Sequence, residues 1–193
     1  QVQDLIGMNC DVIVLWPTNS ESGVAMVRQI NAAGIPVMSA NTNVEESGKE
    51  YLECYVGPSN VLEGKQTAEQ MIEDIGTDAK ILYIDGQAGY STSAERRQGL
   101  DEAIEGTNIE VLESQISDGN REKAQQVMEN YLVKYPEGSV DAVFCMDDNI
   151  AIGAINAMDA AGRTDIKVYA AACGDYNTLT YIESGKLRAT AMQ

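Results

Sequence analysis

The 193-residue chain carries 13 lysines and arginines against 30 aspartates and glutamates, a formal charge of −17. That charge excludes the basic stripe that nucleic-acid phosphates require, and it disfavours docking on anionic lipid. Hydrophobic residues make up 44% of the chain, enough to bury a core in one domain or two small ones, yet no apolar run is long enough to span a bilayer. Histidine is absent, which removes Ser-His-Asp and Cys-His catalysis and the commonest zinc sites.

The first residues, QVQDLIGMN, place Val2, Leu5 and Ile6 at helical spacing with no capping residue ahead of them, so the chain is expected to begin within a helix. From there strand and helix patterns alternate. Strands are predicted near 11–16, 35–40, 52–56, 80–85, 108–113, 140–146, 166–172 and 187–192. Helices are predicted near 20–33, 60–75, 92–104, 120–134, 148–161 and 177–184. Ser20, Ser59 and Thr92 are candidate N-caps, Thr92 and Glu95 have capping-box spacing, and Gly34, Gly76 and Gly162 stand at helix exits. Strands such as VIVLW and AVFCM are short and mostly apolar, as in parallel sheets covered on both faces. The fold class is therefore α/β, with doubly wound parallel sheets.

The rhythm breaks at 41–51, NTNVEESGKEY, which is polar and has no clear helix. Gly57-Pro58-Ser59 then punctuates the chain, dividing it into 1–58 and 59–193. The second part holds five βα steps, whereas three strands and one helix in the first make a poor independent sheet. With the chain also ending in a strand, it reads as a fragment of a larger two-lobed protein. Cys10, Cys54, Cys145 and Cys173 lack metal-ligand spacing; three lie in or beside predicted strands, and buried thiols are expected rather than disulfides.

The run DAVFCMDDNIAIGAINAMDAAG, 141–162, places Asp147 and Asp148 where a strand ends and a helix begins. That edge is where open α/β sheets bind ligands. A helix tip also favours negative charge, so Asp148 can be a cap; one acid is expected to be structural and the other to face a ligand. Adjacent acids at a helix start do not converge on one point, and no third ligand is apparent, so neither a metal site nor acid–base catalysis is expected. Other strand exits carry further candidates. Trp16, the only tryptophan, offers either an aromatic face for the C–H side of a sugar ring or a core plug. Asn41 can donate to and accept from a hydroxyl, or close an Asx-turn. Tyr90 follows GQAGY, a turn without the lysine and spacing of a phosphate loop. Asp175 and Tyr176 follow the 166–172 strand and either face a cleft or cap the next helix.

The ordered phrases DVIVLWPTNSES, NAAGIPVMSANT, YVGPSNVLEGKQTAEQM, REKAQQVMENYL, AVFCMDDNIAIGAINAM and SGKLRATAMQ resemble the ribose/galactose-type periplasmic sugar-binding proteins, the solute receptors of ABC importers. The resemblance implies two Rossmann-like lobes joined by a hinge, with a sugar clamped between them. Residues 1–58 correspond to an incomplete N-terminal lobe and 59–193 to most of the C-terminal lobe. Position by position, Asn41-Thr42 stands where ribose proteins have Asp-Arg, and Ala94 where a ligand arginine is expected. Asp147 precedes Asp148 where the family has Asn-Asp, Cys173 replaces a ligand aspartate, and Gln193 matches the hinge glutamine. Trp16 takes a position that is often polar in the family, and Arg96 matches a structural arginine. With Tyr90 and Asp175, the expected ligand set is Trp16, Asn41, Thr42, Tyr90, Asp147, Cys173, Asp175 and Gln193. Two cationic positions are lost and one acid is gained, which argues against ribose itself and leaves an amine-bearing sugar as a further candidate.

The resemblance further implies a binding protein rather than an enzyme, without cofactor or metal. It implies a monomer outside the cytoplasm, periplasmic or lipid-anchored at the outer face of the membrane, with a small sugar or polyol and an ABC transporter permease as partners. Two alternatives share the fold: the effector domain of a LacI-type transcription regulator and a sensor ectodomain. Gly162-Arg163-Thr164-Asp165 leads straight into IKV, without the longer connection usual in those regulators. A small doubly wound enzyme is disfavoured by the lack of GxSxG and GxGxxG motifs.

Overall fold

The computed structural model describes residues 1–174 and 176–192. The chain divides into two compact units, one formed by Gln1–Pro58 with Gly89–Ala94 and the other by Ser59–Ala88 with Glu95–Gln193. Each has its own parallel sheet.

The first unit runs α1 (Val2–Gly7), β1 (Ile13–Leu15), α2 (Ser20–Ala32), β2 (Val37–Ala40), α3 (Glu46–Lys49) and β3 (Cys54–Val56). Its strands lie in the order β1-β2-β3, with Ile13 opposite Val37 and Met38 opposite Cys54. Val24, Val27 and Ile30 recur at three-residue steps along α2 and pack with Ile13, Val37 and Val44 into one core, against which Val2 and Ile6 of α1 lie. The single turn α3 interrupts a segment whose composition predicts no helix. Buried Val44 anchors it, and Gly48 lies close against Val44 and Val24. The N-cap of α2 is Asn19 rather than Ser20: its extended backbone lets the side chain accept the Ser22 N–H at 2.8 Å. The Ser20 hydroxyl instead accepts the N–H of Ser91.

The second unit contains α4 (Asn60–Ile75), β4 (Lys80–Asp85), α5 (Ser91–Ile104), β5 (Glu110–Ile116) and α6 (Arg121–Lys134). It continues with β6 (Ala142–Cys145), α7 (Asp148–Ala161), β7 (Lys167–Cys173), α8 (Tyr176–Glu183) and β8 (Ala189–Met192). The first turn of α5 groups with the first unit. The five strands are parallel in the order β5-β4-β6-β7-β8. The chain therefore leaves β4 to one side for β5 and returns to its other side for β6, which makes β4/β6 the topological switch point. One sheet face packs Ile81, Tyr83, Ala142, Phe144, Tyr169 and Ala171 against Ala68, Met71 and Leu100. All of β6 and residues 168–172 of β7 are buried, as parallel strands covered on both faces must be.

Two further expectations change. Thr92 lies inside α5, its hydroxyl buried without a partner among the described residues, and Glu95 accepts from Asn60 Nδ2 at 2.7 Å instead of closing a capping box. All four cysteines are free thiols, but only Cys145 is buried. Cys54 sits on the edge strand β3 and Cys173 at the very end of β7, and both are exposed there because neither lies under a covering layer.

Helices α4 and α5 touch through two glycines. A Cβ on Gly64 would collide with the Arg96 carbonyl, and one on Gly99 with that of Val61. Gly64→Ala is therefore expected to lower stability by about 2 kcal/mol in urea unfolding; an unchanged midpoint would show that the two helices separate freely.

Candidate functional site at the carboxyl edges of the sheets

In the first unit Trp16 follows β1 and is 62% exposed, which rules out the core-plug reading. Asn41 follows β2 with a left-handed backbone, φ 59°, and its side chain makes no hydrogen bond among the described residues. Bonding to the adjacent backbone falls to Asn43, whose Oδ1 accepts from the Val44 N–H and the Ser39 hydroxyl. Thr42 is fully buried, and its hydroxyl donates to the Tyr90 hydroxyl at 2.8 Å. Thr42 thus orients Tyr90, which is half-buried, and presents no surface of its own.

In the second unit the acidic pair divides its work: Asp148 is the more buried, structural acid, but the capping role expected of it falls to Asp147. Asp147 is the N-cap of α7, its Oδ1 accepting from the Ile150 N–H at 2.8 Å, because it is the last extended residue before the helix. Asp148 is 2% exposed and accepts from the Gly174 N–H at 2.7 Å and the Thr190 hydroxyl at 2.6 Å. It ties the exit of β6 to β7 and β8, and Asp147 is the less buried of the two. Cys173 follows on β7. Although the residue is exposed at the strand end, partial desolvation of its thiol pushes it up to about 11; Arg96 opposes the shift, and Asp147 and Asp148 add to it. The thiol is therefore protonated at neutral pH and a poor nucleophile. Asp175 and Gln193 lie outside the described residues.

Behind this edge Arg96 is 2% exposed. Its Nε and Nη2 lie 3.1 and 3.0 Å from Glu63 Oε2, and its Nη1 donates to the Met146 carbonyl at 3.2 Å. The sequence marks Arg96 as structural but does not name its partner. The available signal is that Glu63 falls on the buried stripe of α4 with Asn60, Thr67 and Met71. Burial raises the Glu63 pKa, and Arg96 opposes the rise. No group of three metal-ligating side chains occurs among the described residues. A hollow of about 360 Å³ lies at the opposite, amino edge of β7, and its cations are committed: Arg163 to Asp165, Lys186 to Asp159, Arg188 to Asp74 and Lys167 to the Asp74 carbonyl.

Burial also raises the pKa of Asp147, outweighing the Ile150 N–H and the Arg96 charge. A carboxyl with a raised folded pKa binds more protons folded than unfolded between the two values, so it costs stability as pH rises through that window. Asp147→Asn keeps a capping oxygen without the buried charge. Its melting temperature is expected to exceed that of the unmodified chain at pH 7, with the difference fading below about pH 4. A lower melting temperature at pH 7 would mean that Arg96 and the helix end outweigh the burial cost.

The sequence profile described as a periplasmic binding protein domain matches residues 1–193. The ribose import binding protein RbsB of Escherichia coli is 32% identical over 192 residues, which cover 100% of this chain and 63% of that protein. The Bacillus subtilis RbsB is 33% identical over 192 residues, covering 100% of this chain and 60% of that protein. Among solved structures, an ABC transporter solute binding protein from Bacillus halodurans with bound myo-inositol superposes with a TM-score of 0.90 at 29% identity, covering 96% of this chain and 64% of that one. The chain spans less than two thirds of the length of these relatives. With its whole length matched and both parallel sheets in place, the chain belongs to the periplasmic binding protein domain family.

Proposed function

We propose that the chain serves as an extracytoplasmic solute receptor, a monomer that binds a small sugar or polyol through the carboxyl edges of its sheets and hands it to the permease of an ABC importer. The observation that carries this reading is the placement of its candidate side chains. Trp16, Asn41 and Tyr90 gather at the carboxyl edge of the first unit, and Asp147 lies at the β4/β6 switch point of the second. An exposed indole, an uncommitted amide, a phenol and a carboxylate suit the apolar face and the hydroxyl rim of a sugar ring or cyclitol. The relatives named above bind ribose or hold myo-inositol, in keeping with that chemistry.

The same residues argue against an anionic ligand. Thr42 stands where the family's ribose proteins have arginine, and Arg96 is ion-paired with Glu63 and bonded to the Met146 carbonyl. A sugar phosphate or uronate would bring a negative charge beside Asp147, whose carboxylate bonds no cation among the described residues. A second reading rests on Asp147 itself: its half-buried carboxylate, with no cation bonded to it among the described residues, also suits an amine-bearing sugar.

Thermal melts against ribose, myo-inositol, other neutral polyols, amino sugars and ribose 5-phosphate test the proposal. A neutral ligand at one hundred times its Kd is expected to add about 2.7 kcal/mol of stability. The emission of Trp16, the sole tryptophan, is expected to change with the same ligand. A response confined to the phosphate would contradict the proposal, and one confined to amines would favour the second reading.

A further inference from the structure

We infer that Tyr55 is the positioning residue for Asn41, holding the backbone of that residue so that its side-chain amide is pre-set for a ligand hydroxyl; the inference rests on the reading of Asn41 as a ligand residue. Asn41 sits at the centre of a three-residue turn, closed by the Thr42 N–H donating to the Ala40 carbonyl at 2.6 Å, with a positive φ of 59°. A positive φ is uncommon for a residue with a Cβ; asparagine tolerates it better than most, and contacts that hold the turn select it over the extended alternatives.

The enforcing contacts come from β3 and the loop after it. The Asn41 N–H donates to the Val56 carbonyl at 2.9 Å. The Tyr55 hydroxyl lies 2.9 Å from the Asn41 carbonyl oxygen and 3.1 Å from that of Pro58, so its single proton is shared between the two. Gly57 completes the brace: a Cβ there would collide with the Tyr55 hydroxyl and come within 3.1 Å of the Asn41 Cα. Both backbone polar groups of Asn41 are thereby committed, and the amide side chain is the polar group it has left to offer. Fixing the backbone from which the amide projects lowers the ordering needed when a ligand arrives, relative to a mobile turn. Tyr55 contributes through Asn41 and needs no contact with ligand itself.

The test uses the 193-residue chain with Tyr55→Phe and Asn41→Gly. The first removes only the hydroxyl; the second accepts a positive φ without strain but lacks the amide. In the ligand-free protein, the Asn41 Cα and Cβ shifts and its HN–Hα coupling are expected to leave left-handed values in Tyr55→Phe. The Kd for whichever of ribose or myo-inositol binds the unmodified chain is expected to rise about tenfold. In the Asn41→Gly background, removing the Tyr55 hydroxyl should change the Kd no further. Unchanged Asn41 signals in Tyr55→Phe would overturn the inference, whether or not either probe binds. Shifted Asn41 signals with an unchanged Kd would overturn the reading of Asn41 as a ligand residue.

Discussion

The second unit depends on one buried charge. Arg96 brings a guanidinium into the interior at the switch point of the sheet, where a buried cation needs an opposite charge and hydrogen-bond acceptors beside it; its Nη2 and Glu63 Oε1 still lack a hydrogen-bond partner among the described residues. Glu63 supplies a carboxylate oxygen that two of its nitrogens share, and Met146 supplies the carbonyl at the end of β6. The interaction therefore fixes α4, α5 and the residue immediately before the acidic pair relative to one another. Gly64 and Gly99 are its precondition, because only bare Cα atoms let the helices approach closely enough for that contact. Removing Glu63 while keeping Arg96 would leave the charge uncompensated, a loss of about 3–5 kcal/mol by analogy with other broken buried pairs.

From that anchor the carboxyl edge is built by dividing polar groups between support and presentation. Asp148 disappears into bonds with Gly174 and Thr190, Thr42 into a bond with Tyr90, and Asn43 into its neighbours' backbone and hydroxyl groups. Beside each supporting residue stands one left to present: Asp147 next to Asp148, Asn41 next to Thr42. The opposite edge of the second sheet uses its charges differently. Arg188 and Tyr169 bond the Asp74 carboxylate and hold its pKa down to about 2, and Lys167 caps the carbonyl of the same residue. Two cations of that edge, Lys167 and Arg188, hold α4 to β7 and the start of β8, while Arg163 and Lys186 pair with Asp165 and Asp159.

Much of this fold was legible because the alternation of short apolar strands with amphipathic helices is a local property of the chain. The parallel α/β class followed from it, as did the strand exits that carry Trp16, Asn41, Tyr90 and Asp147. What the pattern did not carry was set by partners distant in sequence. Helix α3 forms because Val44 finds the core of the first unit, which its polar neighbours conceal. Asn19 rather than Ser20 caps α2 because the choice between adjacent capping residues turns on the backbone angle of each. The cap of α7 is Asp147 rather than Asp148 because Asp148 is held instead by Gly174 and by Thr190, 42 residues further on. The exposure of Cys54 and Cys173 follows from edge and end positions that strand composition does not report. Glu63, the partner of Arg96, could be suspected only from its place on a buried helical stripe.

The central claim is that ligand is met at the carboxyl edges of the sheets. Amide shift mapping of the 193-residue chain during titration with ribose and with myo-inositol tests it most directly. The account predicts that the perturbed amides are those of Trp16, Asn41, Tyr90 and Asp147 and their immediate neighbours. Perturbations confined to the hollow at the opposite edge of the second sheet, around Ile155, Arg163 and Lys186, would contradict it.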